Sequence, residues 1–195
     1  MRKGLTEYLA NRIRTLSSPL NPIPTEAKPR LQHMPGVRAV LFDVYGTLFI
    51  SAAGDIDAGQ ACDGSSSLSE ALKSIGAEGQ IEQAAQAGGE LLTQFICEEH
   101  ERKKANGTEY PEVNIKTIWE KVLHELGKRG LLKCEISDDD LETLAVEYEC
   151  RVNPVWPMPG LCETLSSLWQ HAFLLGIVSH AQFFTPLLFV AFLGE

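Results

Sequence analysis

The stretch "VRAVLFDVYGTLF", residues 37–49, is an apolar run that ends on a carboxylate and a Gly-Thr turn. The near-continuous apolar character of 37–42 predicts a parallel strand that is covered on both faces. Open α/β sheets bind ligands beyond the carboxyl ends of their strands, and Asp43 stands at that position. Its carboxylate, ionised at neutral pH, is suited to act as a nucleophile, a metal ligand or both. The alternative is an aspartate that caps the turn.

A second apolar run, "AFLLGIVS" at 172–179, predicts another buried strand that ends at Ser179. A hydroxyl there is able to donate to an anionic oxygen beside Asp43. The alternative role is the N-cap of the next helix, and the two roles are compatible because helix N-termini bind anions. The backbone N–H groups of the Gly46-Thr47 turn are a further candidate anion site.

Helical periodicity fills the region between these two strands. Helices are expected at about 67–76 and 80–104, and two more begin at the N-cap residues Asn114 and Ser137. Another is expected at about 160–170, and the apolar segment "AQFFTPLLFVAFL" predicts a last helix that is covered on most sides. This order predicts an α/β core with a helical cap between its first two strands.

The N-terminal part differs in composition from the rest of the chain. Residues 3–17 predict a helix, and a linker with five prolines follows at 17–36. The first 30 residues carry six basic and two acidic side chains, although the net charge of the 195 residues is -9. We expect a docking helix or a solvated arm; the alternative is an organelle transit peptide. The acidic remainder argues against a nucleic-acid partner.

Two further features bear on the cellular compartment of the protein and on its association with membranes. No run of 18 apolar residues exists, so no membrane-spanning helix is expected. The five cysteines are scattered and match no zinc spacing or disulfide framework, which favours a cytoplasmic protein with reduced thiols.

Three segments together resemble the haloacid dehalogenase-like (HAD) superfamily. "LFDVYGTLF" (41–49) looks like its first motif, "LLGIVSHA" (174–181) like its second, and "VWPMPGLCETLSSL" (155–168) like the Pro-Gly segment before the second. The resemblance implies a Rossmann-like parallel sheet made of residues 36–50 and 152–195. It implies a helical cap over 51–151, preceded by the helix and linker of 1–35.

The resemblance also implies a covalent mechanism on a small anionic substrate. Asp43 would form an aspartyl ester or aspartyl phosphate, which water hydrolyses. Ser179, His180 and the N–H groups around Gly46 and Thr47 would hold the transferred group, although His180 is equally read as an accommodated variant. In phosphatase members, Mg²⁺ binds the carboxylate that corresponds to Asp43 and the backbone carbonyl that corresponds to Tyr45.

The substrate class depends on Tyr45. Phosphatase members carry an aspartate there as general acid, whereas the 2-haloacid dehalogenases carry tyrosine. A tyrosine, with an ordinary pKa near 10, is a poor proton donor at neutral pH, and a halide leaves without a proton. Between Ile50 and Glu101, however, the only basic side chains are Lys73 and His100, so the arginine expected to bind a haloacid is missing. Phosphate esters and 2-haloacids therefore both remain candidate substrates.

The sequence ends one helix after the second motif, at Glu195. The family's third motif supplies a lysine and its fourth supplies acids for magnesium, and we expect both to lie beyond this point. The expectation is therefore a sheet that is incomplete at the C-terminal side, with a last helix that exposes apolar faces and could mediate self-association. The alternative function is a catalytically incomplete remnant of the fold that binds a partner.

Overall fold

The computed structural model describes residues 3–52, 64–133, 135–179 and 181–194. These residues form a mixed α/β structure. The helices are α1 (Lys3–Leu16), α2 (Gly64–Ser74), α3 (Ile81–Ala105), α4 (Ile115–Lys128), α5 (Asp138–Val152), α6 (Leu161–Gln170) and α7 (Thr185–Leu193). The strands are β1 (Ala39–Phe42), β2 (Phe49–Ser51), β3 (Glu78–Gly79), β4 (Leu132–Lys133), β5 (Val155–Pro157) and β6 (Leu174–Ile177).

The two predicted strands pair with each other. β1 and β6 are parallel, with Leu41 opposite Gly176 and Phe42 opposite Ile177. The prediction that the first strand is covered on both faces is wrong for one face, because Leu41 is 69% exposed. Leu41 instead lies over Gly176, where an added Cβ would come within 2.7 Å of Leu41 Cδ2. The other face is half-buried through Phe42, which packs against the core.

The region between the strands is helical, as predicted. α2, α3, α4 and α5 enclose a core in which Trp119 meets Tyr148 edge to face with 5.0 Å between ring centroids. Both predicted N-caps are confirmed. Asn114 accepts hydrogen bonds from the N–H groups of Lys116 and Thr117, and Ser137 forms a capping box with Asp140. These caps satisfy N–H groups that have no partner inside the helix.

The N-terminal helix docks on the rest of the molecule. Leu9, Ala10 and Ile13 are buried in a cluster to which α5 and α7 contribute. Arg14 donates to the backbone carbonyls of Val190 and Ala191, near the C-terminal end of α7. Of the two expectations for this segment, the docking helix is therefore confirmed and the solvated arm is not.

The docking of α1 also corrects the expectation for the last helix. Thr185, Leu187, Leu188 and Ala191 of α7 are buried, and the apolar side chains that follow them are half-buried. The expected exposed apolar face is absent from this described helix because α1 packs against it. A group of exposed apolar side chains lies on the parallel sheet and around it instead: Leu41, Trp169, Leu174, Ile177 and Val178.

Two short antiparallel pairs complete the structure. β2 pairs with β5, with Phe49 opposite Pro157 and Ser51 opposite Val155. This pair joins the two chain segments that enter and leave the helical region. β3 pairs with β4 inside that region. Among the described residues, no helix is long and apolar enough to cross a membrane.

Candidate active site

The parallel register brings the ends of the two motifs to one edge of the sheet. The N–H of Val178 donates to the carbonyl of Phe42 at 2.9 Å, which continues the ladder past the last paired residues. Asp43 follows Phe42 and Ser179 follows Val178 at this edge. Asp43 is exposed and Ser179 is half-buried. The edge therefore carries an exposed aspartate and a half-buried, hydroxyl-bearing residue.

The turn after Asp43 has a specific backbone geometry. Gly46 has φ of +79°, which favours glycine. Its N–H donates to the carbonyl of Phe49 at 2.7 Å, and the carbonyl of Val44 accepts from Leu48 and Phe49 at 2.9 Å each. The N–H of Thr47 makes only a long bond of 3.4 Å to Val44. Of the two predicted backbone donors, that of Thr47 is thus less engaged inside the turn than that of Gly46.

Tyr45 points from this turn toward the last helix. Its hydroxyl lies 2.9 Å from Thr185 Oγ1, at the start of α7. Burial raises the pKa of the Tyr45 phenol, and the negative charge of Glu149 raises it further, while the hydrogen bond with Thr185 opposes both. The phenol is therefore neutral at neutral pH and fixed in position.

Tyr45 lines an open groove of about 340 Å³ between the β1–β2 turn and the helical region. We call it the Tyr45 groove. Asp43 and Ser179 are outside its lining, but Tyr45 and Ala181, each two residues further along the chain, belong to it. The lining residues are Tyr45, His100, Pro111, Glu112, Val113, Ile115, Glu149, Asn153, Ala181, Gln182 and Phe184.

Glu149 is one of the two acidic residues that line this groove in the described part of the chain, and it was not predicted from the sequence. It is half-buried near the end of α5. Asn153 Nδ2 donates to Glu149 Oε1 at 3.0 Å, and Asn153 Oδ1 accepts from Ser51 Oγ at 2.8 Å. Burial raises the pKa of Glu149, and the hydrogen bond from Asn153 opposes the shift. No motif marked this residue. Its direct partner Asn153 lies four residues on in the chain, and Ser51 joins them only because the end of α5 meets β2.

Gln182 ties the segment after Ser179 to the helical region. Its Nε2 donates to the carbonyl of Val113 at 3.0 Å, and its Oε1 accepts from the N–H of Ile115 at 3.2 Å. This two-point contact holds one wall of the Tyr45 groove against the start of α4. His180, which the sequence suggested as an anion donor, lies outside the described residues.

The expected magnesium site has few oxygen ligands among the described residues. Mg²⁺ requires near-octahedral oxygen coordination. Asp43 supplies one carboxylate and Tyr45 one backbone carbonyl. Within the described ranges, no three His, Cys, Asp or Glu side chains lie together as a metal-binding group. The described residues therefore do not fit a firm magnesium site.

A larger cavity lies elsewhere. It measures about 590 Å³ and is lined by residues of α6, by Leu175 of β6 and by Leu193. Among the described residues, none of the predicted site residues lines it, and the side chains of its walls carry no carboxylate or cation. The Tyr45 groove is therefore the better candidate for chemistry.

Comparison with protein-family models, with curated proteins and with solved structures gives no match for this chain.

Proposed function

We propose that the protein is a HAD-like hydrolase in which Asp43 attacks a small anionic substrate and forms a covalent aspartyl intermediate. The substrate is a phosphate ester or a 2-haloacid. The observation that carries the proposal is the parallel pairing of β1 and β6. Its register leaves Asp43 and Ser179 at the same edge, where the two motifs of the superfamily would have to meet.

The proposed fold is a Rossmann-like core with an inserted cap. Its support is the order of the elements. α2, α3, α4 and α5 lie between β1 and β6 in the chain, and the β2–β5 pair joins the two segments that connect them to the core. Parallel strands require a long crossover connection, and the helical region with α6 provides it.

Each proposed site residue has a role that matches its chemistry. The exposed carboxylate of Asp43 is free to approach a substrate from solvent. The hydroxyl of Ser179 and the N–H of Thr47 would donate to the anionic oxygens of the transferred group. Gly46 permits the turn, and Tyr45, two residues after the nucleophile, is one of the residues that line the groove. Water then hydrolyses the aspartyl intermediate.

The test is hydrolysis of a panel of phosphate esters and 2-haloacids, measured as release of phosphate or halide. Asp43→Asn should abolish turnover of every substrate that the wild type accepts. Glu163→Gln, which changes an exposed carboxylate on α6, is the matched control and should leave turnover unchanged. Turnover that survives in the Asp43→Asn variant would rule out Asp43 as the nucleophile.

A second candidate function is a binding protein with a HAD-like fold. The observation that favours it is the apolar surface of the parallel sheet, where Leu41 is 69% and Leu174 is 72% exposed. Solvent-exposed apolar patches of this kind mark interaction surfaces. This candidate predicts self-association in sedimentation and binding of a hydrophobic dye, both reduced by Leu41→Ser. A monomer that binds no dye would contradict it.

A further inference from the structure

Two glutamates near the end of α5 have opposite environments. Glu147 is fully buried between Arg12 and Arg151, and the hydrogen bonds from these guanidinium groups hold its pKa below the ordinary value against the effect of burial. Glu149 has an amide partner, and burial raises its pKa. Neighbouring carboxyl groups whose environments separate their pKa values divide into an ionised and a protonatable group. Glu147 is a structural ion-pair member, and Glu149 is able to carry a proton.

The hydrogen bonds around Glu149 hold its side chain in one orientation and are compatible with both protonation states of the carboxyl group. Asn153 donates to Oε1, and Ser51 in turn donates to the amide oxygen of Asn153. An amide donor is compatible with both a carboxylate and a neutral carboxylic acid, because each retains an oxygen lone pair. The carboxyl group is thus positioned in the groove in either protonation state.

Three other titratable side chains that the structure describes line the groove besides Glu149. His100 comes from α3, Glu112 from the segment before α4, and Tyr45 from the β1–β2 turn. On α5 itself, Arg151 is engaged by Glu147 at 2.6 Å. Within the described residues, no lysine or arginine forms an ion pair with Glu149. Because no such cation holds the Glu149 carboxyl group in its ionised form, this group can both carry and release a proton in the groove.

We propose that Glu149 is the general acid of the Tyr45 groove, and that the substrate is accordingly a phosphate ester with an oxygen leaving group. This inference rests on the proposed function. A departing alkoxide needs a proton, which the neutral phenol of Tyr45 supplies poorly at neutral pH. A halide needs none, and a protonatable carboxyl in the groove would then have no role in the reaction.

The proposed steps balance without a further reactant. In the first step, a carboxylate oxygen of Asp43 bonds to phosphorus while the bond from phosphorus to the ester oxygen breaks. The proton of Glu149 passes to that oxygen, and the alcohol leaves. In the second step, the Glu149 carboxylate takes a proton from water as the water oxygen attacks phosphorus. The bond between phosphorus and Asp43 breaks, which releases phosphate and restores both side chains.

The leaving group provides the test. p-Nitrophenyl phosphate releases a stable anion and needs little protonation, whereas glycerol 2-phosphate releases a basic alkoxide. Glu149→Gln should lower kcat/KM for glycerol 2-phosphate by about 10²–10⁴-fold and for p-nitrophenyl phosphate by less than about tenfold. Asp43→Asn should abolish both activities, and Glu163→Gln should change neither. Equal losses on the two esters in Glu149→Gln, or no loss, would overturn the role of Glu149.

Two other results separate this inference from the proposed function. Release of halide from 2-chloropropionate by a wild type that hydrolyses neither ester would overturn the general acid while leaving Asp43 as nucleophile. Independently of turnover, the ¹³C carboxyl resonance that disappears in Glu149→Gln should titrate above the ordinary glutamate range of about 4.3. A titration at or below that value would overturn the inference even if both esters are hydrolysed.

Discussion

The contact that fixes α1 to α5 makes a sharp prediction about stability. Glu147 has 0% exposure and lies between Arg12, whose side chain is 31% exposed, and Arg151, whose side chain is 19% exposed. Glu147→Gln keeps the shape of the side chain but leaves two guanidinium groups facing each other without an anion. Removing one partner of a buried ion pair costs about 3–5 kcal/mol. Because water reaches both arginines in part, we expect the lower end, about 3 kcal/mol.

The assay is thermal and urea unfolding of the full chain, followed by circular dichroism. For a chain of this size, about 3 kcal/mol corresponds to a fall in Tm of about 6–12 °C. Glu120→Gln, which changes an exposed carboxylate on α4, is the control and should stay within about 0.5 kcal/mol of the wild type. A loss below about 1 kcal/mol in Glu147→Gln would refute the view that this ion pair holds α1 in place.

The pH dependence of the same variant gives a second check. The folded-state pKa of Glu147 lies below its ordinary value. A carboxyl group with a lowered folded pKa contributes stability above its unfolded pKa of about 4.3 and loses it as the pH falls through the folded value. The stability difference between wild type and Glu147→Gln should therefore be full at neutral pH and shrink below about pH 4. A difference that stays constant into acid would contradict the ion-pair explanation.

Two further predictions concern packing and thiol reactivity. Gly88→Ala should be less stable than Gly89→Ala by about 1–3 kcal/mol, because a Cβ at Gly88 meets a buried leucine methyl group at 2.8 Å while one at Gly89 meets nothing within 4 Å; equal unfolding midpoints would contradict this. Burial raises the pKa of the Cys150 thiol to about 12, so native protein should react with iodoacetamide at the exposed Cys97 and Cys162 but not at Cys150. Alkylation of all three at equal rates, read by peptide mass spectrometry, would show that α5 is not buried as described.

The helices were predictable from sequence because their signals are local. Periodic apolar residues and the side chains of Asn114 and Ser137 lie within one or two turns of the helix starts that they determine. The strands of the parallel sheet were predictable for the same reason, since each is a continuous apolar run. The solvent exposure of the side chains on these strands was not predictable, because it depends on what covers the sheet rather than on the strand itself.

The β2–β5 pair was not predictable, because each strand has three residues and its partner lies about a hundred residues away in the chain. The docking of α1 on α7 depends in the same way on contacts between the two ends of the sequence, which periodicity alone does not indicate.

In the candidate site, too, some residues were predictable from the sequence and others were not. Asp43 and Ser179 were found because each follows an apolar strand, and parallel pairing then brings the strand ends together. Glu149 was missed because burial, which its local sequence does not indicate, is what raises its pKa. Glu147 faces Arg12 from the N-terminal helix and Arg151 four residues on, whereas the partner of Glu149 is the C-cap residue Asn153.

The nucleophile is best tested by trapping the covalent intermediate at Asp43. Borohydride reduces an aspartyl phosphate or aspartyl ester to the alcohol, so protein quenched during turnover of p-nitrophenyl phosphate or 2-chloropropionate would carry homoserine at position 43. Peptide mass spectrometry reads that position directly. We predict homoserine at position 43 with substrate present and intact aspartate without it. Sustained turnover with unmodified Asp43 throughout would contradict a covalent mechanism at this residue.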